Sequence, residues 1–238
     1  PADCFDVAYE AVRLAVQHMT PVILLSDGYI ANGAEPWKFP QEDSLKEIQV
    51  EFKTQRGDQE MVFQPYVRDE KGVRPWVKPG TPGLEHRIGG LEKQNITGNI
   101  SYDSENHQLM VKLRQEKVDK IAQYIPEQKL DSGPEKGKLL VIGWGSTYGA
   151  IKTACEAVRN GGEDVAHIHL RYIRPFPANL EQLIRNYDKV LVPELNNGQL
   201  VRLLRDQFLI DARGMNKIMG IPFTKSELVE TIRTMLED

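Results

Sequence analysis

Three glycines, Gly143, Gly145 and Gly149, follow the apolar run 139–144 at G-x-G-x-x-x-G spacing and open onto a helical pattern. Free backbone N–H groups at a helix start attract an anion, so such a turn can cradle a phosphate. The spacing departs from G-x-G-x-x-G and lacks the lysine of a P-loop. Glu163 and Asp164 precede the next strand rather than ending it, which leaves no clear acidic partner for a ribose. The competing reading of the glycines is close packing of helix on strand. Asp27, in Ser26-Asp27-Gly28, ends a second apolar run, 22–25. In open α/β sheets ligands gather at the C-terminal ends of strands, although an aspartate there also makes an Asx-type turn. His86 and Arg87 lie in the glycine-rich stretch 81–90. They could hold a substrate carboxylate, because a guanidinium binds one through two parallel bonds; a structural or subunit contact would use the same residues. His167 and His169 are two apart on a strand and share a face, which suits a metal, but no third ligand is near in sequence. Edge or interface histidines are the alternative. Arg171, Arg174 and Glu194 can form an ion-pair set at strand ends. No G-x-S-x-G and no Ser/His/Asp arrangement is present.

These groups need elements to carry them. Ala150, Ile151, Ala154, Cys155 and Val158 fall on one helical face after the glycine turn, Ser146 or Thr147 can cap that helix, and Asn160-Gly161 ends it. Further strands are expected at 165–170, at 190–192 and, briefly, at 217–219. Helices are marked by Leu180, Leu183, Ile184 and Tyr187, and by Leu200, Val201, Leu204 and Phe208. Thr224 and Glu227 make a capping box for a last helix, with Phe223 stapled to Leu228. Strands alternating with helices imply a mostly parallel sheet sandwiched by helices.

Upstream, Phe5, Ala8, Val12, Ala15, Val16 and Met19 recur at helical spacing behind Asp3, a plausible cap, and Pro21 ends the helix. The run 22–25 then reads as a buried strand whose remaining sheet lies upstream of this chain. Residues 32–105 are rich in proline, glycine and charge, with short strands expected around 61–67 and 74–77. Trp37, Tyr66, Trp76 and Tyr102 argue for packing there rather than disorder. The sequons at Asn95 and Asn99 are read as chance matches. A third helix spans 106–125, with Met110, Leu113, Val118, Ile121, Ala122 and Ile125 along one side, and 126–137 is linker-like in composition. The expected organisation is 1–126, the end of one domain plus a long loop region and helix; 127–137, a linker; and 138–238, a second domain.

The 238 residues are 40% hydrophobic and 27% charged with net charge −4, a core-forming composition that gives no reason to expect nucleic acid or an anionic membrane as partner. No apolar run approaches the roughly 20 residues of a membrane span, and no signal-peptide pattern opens the chain. Cys4 and Cys155 are expected as buried free thiols, in keeping with a cytoplasmic location. Two thiols are too few for an iron–sulfur cluster, which takes four ligands. The chain does not start with Met and its first element is a finished helix, which points to a segment of a longer polypeptide.

Leu170–Pro177, LRYIRPFP, and the strand ending at Glu194 resemble the C-terminal domain of transketolase-like thiamine diphosphate enzymes. Four longer stretches, PVILLSDGYIANGAEPW (21–37), PGTPGLEHRIGGLEK (79–93), TGNISYDSENH (97–107) and LLVIGWGSTYGAI (139–151), resemble the alpha subunit of 2-oxoacid:ferredoxin oxidoreductases, the 2-oxoglutarate type most of all. The resemblance covers essentially the whole chain. It implies oxidative decarboxylation of a 2-oxo acid to an acyl-CoA, with thiamine diphosphate, magnesium and an iron–sulfur cluster in the full complex, and a beta subunit, ferredoxin and CoA as partners. It implies equally what this segment lacks. The family's Y-P-I-T-P motif and substrate arginine are missing, and Asp27-Gly28 lacks the leading glycine of the G-D-G motif carried by the beta subunit. No catalytic, cofactor-binding or metal-binding residue carries over; Asp27, His86 and Arg87 remain as substrate-side or interface candidates. The expectation is a scaffold: the last helix and strand of a pyrimidine-type domain, followed by a transketolase C-terminal-like domain, without turnover or a bound cofactor of its own. The rivals are an independent nucleotide- or CoA-binding α/β module and a pyruvate or branched-chain member of the same superfamily.

Overall fold

The structure is a computed structural model that describes residues 2–57 and 61–238. Its element order is α1 (Ala2–His18), α2 (Gly28–Ala31), α3 (Ser104–Lys120), β1 (Gly137–Trp144), α4 (Tyr148–Asn160), β2 (Val165–Leu170), α5 (Leu180–Ile184), β3 (Tyr187–Glu194), α6 (Gln199–Phe208), β4 (Ala212–Asn216) and α7 (Lys225–Glu237). Two compact units divide the chain: residues up to Leu24 with Gly33–Tyr124, and Leu25–Asn32 with Ile125–Asp238.

In the C-terminal unit every residue of the run Leu139, Leu140, Val141, Ile142 is 0% exposed, so both faces of β1 are covered. Alternation along the strand decides the partners. Leu139 and Val141 pack with Ile151, Ala154 and Val158 of α4 and with Leu228 and Ile232 of α7. Leu140 and Ile142 pack with Leu180 and Ile184 of α5 and with Leu200 and Leu204 of α6. Each fully buried Leu or Ile contributes about 1.5–3 kcal/mol, so the centre of this layer is where the unit's stability resides. The strand order is β2-β1-β3-β4, all parallel, with Leu139 opposite Val165 on one side and opposite Lys189 on the other. The fourth strand lies at Ala212–Asn216 rather than at 217–219. Lys217 is pulled inward instead, its ammonium held by both Glu227 oxygens (2.8 and 2.9 Å) and by the Pro222 carbonyl. The capping box forms as its residue types require: the Thr224 hydroxyl accepts from the Glu227 N–H, and the Glu227 carboxylate accepts from the Thr224 N–H.

The linker-like stretch is docked for part of its length. The Asp131 N–H donates to the His167 carbonyl (2.9 Å), and the His167 N–H donates to the Ser132 carbonyl (2.8 Å), so residues 131–132 lie along β2. A Cβ on Gly133 would stand 2.5 Å from the Val165 carbonyl oxygen, which is why a glycine is needed at that approach.

In the N-terminal unit, α1 forms, but its buried residues are Arg13, Leu14 and His18, and Val12 is 53% exposed; the apolar face read from the sequence is not the covered one. Asp3 lies inside its first turn rather than before it. The run 22–25 is not a strand and is exposed, Ile23 at 83%. A strand needs a neighbour to take its backbone hydrogen bonds, and among the described residues none pairs with this run. The strands expected near 61–67 and 74–77 shrink to single bridges, Tyr66 with Ile96 and Phe52 with Trp76. Packing of the aromatics is uneven. Trp76 donates its indole N–H to the Val16 carbonyl (3.0 Å) and Trp37 packs against Phe5 (5.5 Å between rings), while Tyr102 is 86% exposed. The helix read as 106–125 spans Ser104–Lys120, capped by the Asp103 carboxylate, which accepts from the Asn106 N–H; a short 3-10 turn, Ile121–Gln123, follows.

Candidate functional site

The fold brings together two of the stretches that chemistry singled out. Asp27 reaches the glycine turn between β1 and α4. Its carboxylate accepts from the Ile30 N–H (3.1 Å), and the Ser146 hydroxyl and N–H and the Tyr29 N–H come near enough to favour its charged form. Burial alone would raise its pKa; these hydrogen bonds outweigh burial and hold it below the ordinary carboxylate value. Gly145 carries a φ of +58°, and a Cβ there would point to within 3.8 Å of the Asp27 Oδ2. The anion received by this turn is therefore the chain's own. Ser146 serves Asp27 rather than capping α4, and Thr147 ties the turn to itself, accepting from the Trp144 N–H (3.2 Å) and donating to the Trp144 carbonyl (2.8 Å). The glycines divide their work. A Cβ on Gly143 would stand 2.6 Å from the Ile151 Cδ1, whereas one on Gly149 would meet nothing within 4 Å.

With strand order β2-β1-β3-β4, chain connections leave β1 and β3 in opposite directions, and the crevice at their C-terminal ends is where such sheets take ligands. Here that crevice holds Glu194, 0% exposed. Its Oε1 accepts from the Leu200 N–H (2.8 Å), the Asn196 Nδ2 (3.1 Å) and the Trp144 indole (3.3 Å), and its Oε2 accepts from the Val201 N–H (3.0 Å). A buried carboxylate is tolerable because the N-terminus of α6 supplies donors and a favourable dipole. The ion-pair reading of Glu194 gives way to this helix-terminal role, and the part played by Trp144 was not legible in the sequence.

His167 and His169 lie side by side on β2, their rings 6.2 Å apart, with Tyr148 of α4 packed against both (5.7 and 5.0 Å). His167 is fully buried and neither ring nitrogen has a hydrogen-bond partner. Burial first, then the charges of His169, Arg159 and Lys152, push its pKa down to about 3, so it is a neutral imidazole. Among the described residues no group of three or more His, Cys, Asp or Glu converges as metal ligands. Cys155 is buried and its thiol is pushed up to about 12 by burial, which makes it inert; Cys4, expected to be buried, is exposed.

His86 and Arg87 belong to the other unit. His86 bonds through Nδ1 to the Leu84 carbonyl (2.8 Å) and packs edge-on to Phe63 (5.3 Å); the loop is anchored by Leu84, which is buried. Arg87 is exposed. No helix of the described chain is long and apolar enough to cross a membrane.

This geometry, a four-stranded parallel layer closed at its ligand end by its own carboxylates, agrees with the comparisons. Residues 1–102 match the family model of the thiamine diphosphate-binding domain of pyruvate flavodoxin/ferredoxin oxidoreductases. Residues 137–221 match the model of pyruvate:ferredoxin oxidoreductase core domain II. The chain belongs to the 2-oxoacid:ferredoxin oxidoreductase family. It is 51% identical over 237 residues to the 2-oxoglutarate oxidoreductase subunit KorA of Mycobacterium tuberculosis, covering 99% of this chain and 35% of that protein. The 2-oxoglutarate synthase subunit KorA of Archaeoglobus fulgidus is 27% identical, over 98% of this chain and 59% of its own length. A solved structure of 2-oxoglutarate:ferredoxin oxidoreductase from Magnetococcus marinus, with 2-oxoglutarate, coenzyme A and succinyl-CoA bound, aligns with a TM-score of 0.85 at 26% identity, over 98% of this chain and 40% of that one. The chain thus spans about a third to three-fifths of these relatives.

Proposed function

We propose that the chain is the C-terminal portion of the alpha subunit of a thiamine diphosphate-dependent 2-oxoglutarate:ferredoxin oxidoreductase, and that its part in the enzyme is scaffold and subunit interface. The substrate assignment rests on the 51% identity to a subunit named for 2-oxoglutarate. The scaffold role is supported by the two anion-receptive places of the C-terminal unit, each of which is filled by a carboxylate of the chain itself. An independent nucleotide-binding module would need at least one of them free.

Thiamine diphosphate, when bound, supplies the carbanion-stabilising centre for decarboxylation. The glycine turn of the C-terminal unit is occupied by Asp27 and offers that group no diphosphate site, whereas residues 1–102 match the model of a thiamine diphosphate-binding domain; among the described residues no metal-ligand cluster converges, and two thiols are too few to ligate an iron–sulfur cluster. In our reading those groups belong to the full complex, with a beta subunit, ferredoxin and CoA as partners and a cytoplasmic setting. Residues 138–238 are the transketolase C-terminal-like domain, 127–137 the connection, and 1–126 the end of the pyrimidine-type domain. The exposed run 22–25 pairs with strands from the remainder of the polypeptide. His86 and Arg87 serve as substrate-side or interface residues.

The test is reduction of a viologen dye with 2-oxoglutarate, CoA and thiamine diphosphate. The full-length polypeptide with its partner subunit reduces the dye with 2-oxoglutarate in preference to pyruvate, and residues 1–238 alone leave it colourless. Dye reduction by the segment alone, or a preference for pyruvate, overturns the reading.

A further inference from the structure

Away from the sheet, positive charge gathers at one place in the N-terminal unit. The guanidinium carbon of Arg68 lies 5.6 Å from the centroid of the Tyr66 ring, and that of Arg74 lies 5.4 Å from the same centroid. Lys117 comes to this group from α3, close enough for Arg68 and Arg74 to act on its charge. All four side chains are partly buried.

Their hydrogen-bond acceptors are neutral. Arg68 donates to the Tyr66 carbonyl (3.0 Å) and the Asn95 Oδ1 (2.7 Å), and Lys117 donates to the Met19 carbonyl (2.7 Å). Arg74 lies over the Tyr66 ring, and among the described residues it makes no hydrogen bond. The neighbouring acids are engaged elsewhere: Glu92 pairs with Arg114 (3.3 Å), and the Asp69 carboxylate accepts from the Val73 N–H (2.8 Å). Burial first, and then the charges of Arg68, Arg74 and Arg114, hold the Lys117 pKa below the usual lysine value. Cations crowded in this way repel one another, and an anion among them would offset that repulsion.

We propose that Arg68 and Arg74, laid on the Tyr66 ring, form with Lys117 a binding site for the phosphoryl group of a small-molecule ligand. One dianion meets two cations that share a ring and a third beside them, whereas an acidic protein segment carries single charges spaced along a chain and calls for a row of cations. An arginine laid on an aromatic face is held ready, its fork of donors presented to two oxygens at once.

The experiment is calorimetric titration of the full-length polypeptide in complex with its partner subunit, with thiamine diphosphate saturating in cell and syringe so that its own diphosphate site is filled. The probes are inorganic phosphate and adenosine monophosphate. Expected is one saturable site that weakens with added salt. Arg74→Gln and Lys117→Gln each weaken it about tenfold or more, and Arg213→Gln, an exposed residue of β4, leaves it unchanged. Tighter binding of adenosine monophosphate assigns the phosphoryl group to a nucleotide; equal binding assigns recognition to the phosphate alone. Far-UV circular dichroism checks that each variant is folded. Should Arg74→Gln fail to fold, Arg74→Lys, which keeps the charge and loses the fork, replaces it. The proposal is overturned if neither probe binds saturably, if binding is the same in the Arg74 and Lys117 variants, or if a poly-glutamate peptide binds there and phosphate does not.

Discussion

Replacing Glu194 by glutamine changes one atom type at the closed end of the sheet, and its cost can be worked from the contacts. The carboxylate satisfies the Leu200 and Val201 N–H groups of α6 with separate oxygens. A carboxamide has a single acceptor, so one of these buried N–H groups faces an NH2, and a buried donor without a partner costs about 1–3 kcal/mol. Loss of the negative charge at the helix N-terminus adds about 0.3–1 kcal/mol. The easier burial of a neutral group offsets part of this, which leaves about 2–3 kcal/mol, or roughly a hundredfold in a local opening equilibrium. The assay is amide hydrogen exchange of residues 199–208 in the intact protein, with residues 225–237 of α7 as internal reference. In Glu194→Gln the first turn of α6 exchanges about a hundred times faster, while α7 keeps its protection. Exchange of residues 199–208 within threefold of the parent, or equal loss of protection in α7, would refute the assignment of Glu194 as the group that holds α6 to the sheet.

Other consequences can be checked by direct measurement. Gly143→Ala drives a Cβ to 2.6 Å from Ile151 and lowers stability by about 1–3 kcal/mol in chemical denaturation, whereas Gly149→Ala, in open space at the start of α4, is neutral or stabilising by up to about 1 kcal/mol. His167, with its folded pKa near 3, binds a proton far more readily once unfolded. Stability is therefore full above the unfolded pKa of about 6.5 and declines as pH falls from there toward 3; a His167→Gln protein whose melting temperature shows the same decline would refute this source. The lowered pKa of Asp27 implies that its tether is present above the ordinary carboxylate value and is lost as pH falls through the lowered one. Hydrogen exchange of residues 27–32 rises there in the parent, and Asp27→Asn shows the raised exchange already at neutral pH.

What could be read from the sequence was what is decided locally. The capping box at Thr224 and Glu227, the apolar face of α4, and the doubly covered strand 139–142 all follow from residues within one or two turns of each other. The run 22–25 shows the limit. Its composition is that of a buried strand, but a strand exists only with a pairing partner, and the described residues supply none. Asp27 was singled out for its place after that run. Its partner Ser146 is far away in sequence, where short-range pattern gives no sign, and Ser146 had been given a local capping role instead. Glu194 was legible as a strand-end acid but not as the anchor of α6, because its partners are backbone N–H groups, which no residue type reveals. Arg68 and Arg74 lie in the segment YVRDEKGVR, between the strands expected around 61–67 and 74–77, and only the fold draws them onto one ring.

The hold of Ser146 on Asp27 also sets an order on biosynthesis. Residues 25–32 leave the ribosome well before the turn after β1, which carries the hydroxyl and N–H that seat Asp27. Until then Asp27 has only the nearby Ile30 N–H as partner, so α2 waits without its distant anchor for the interval between the two.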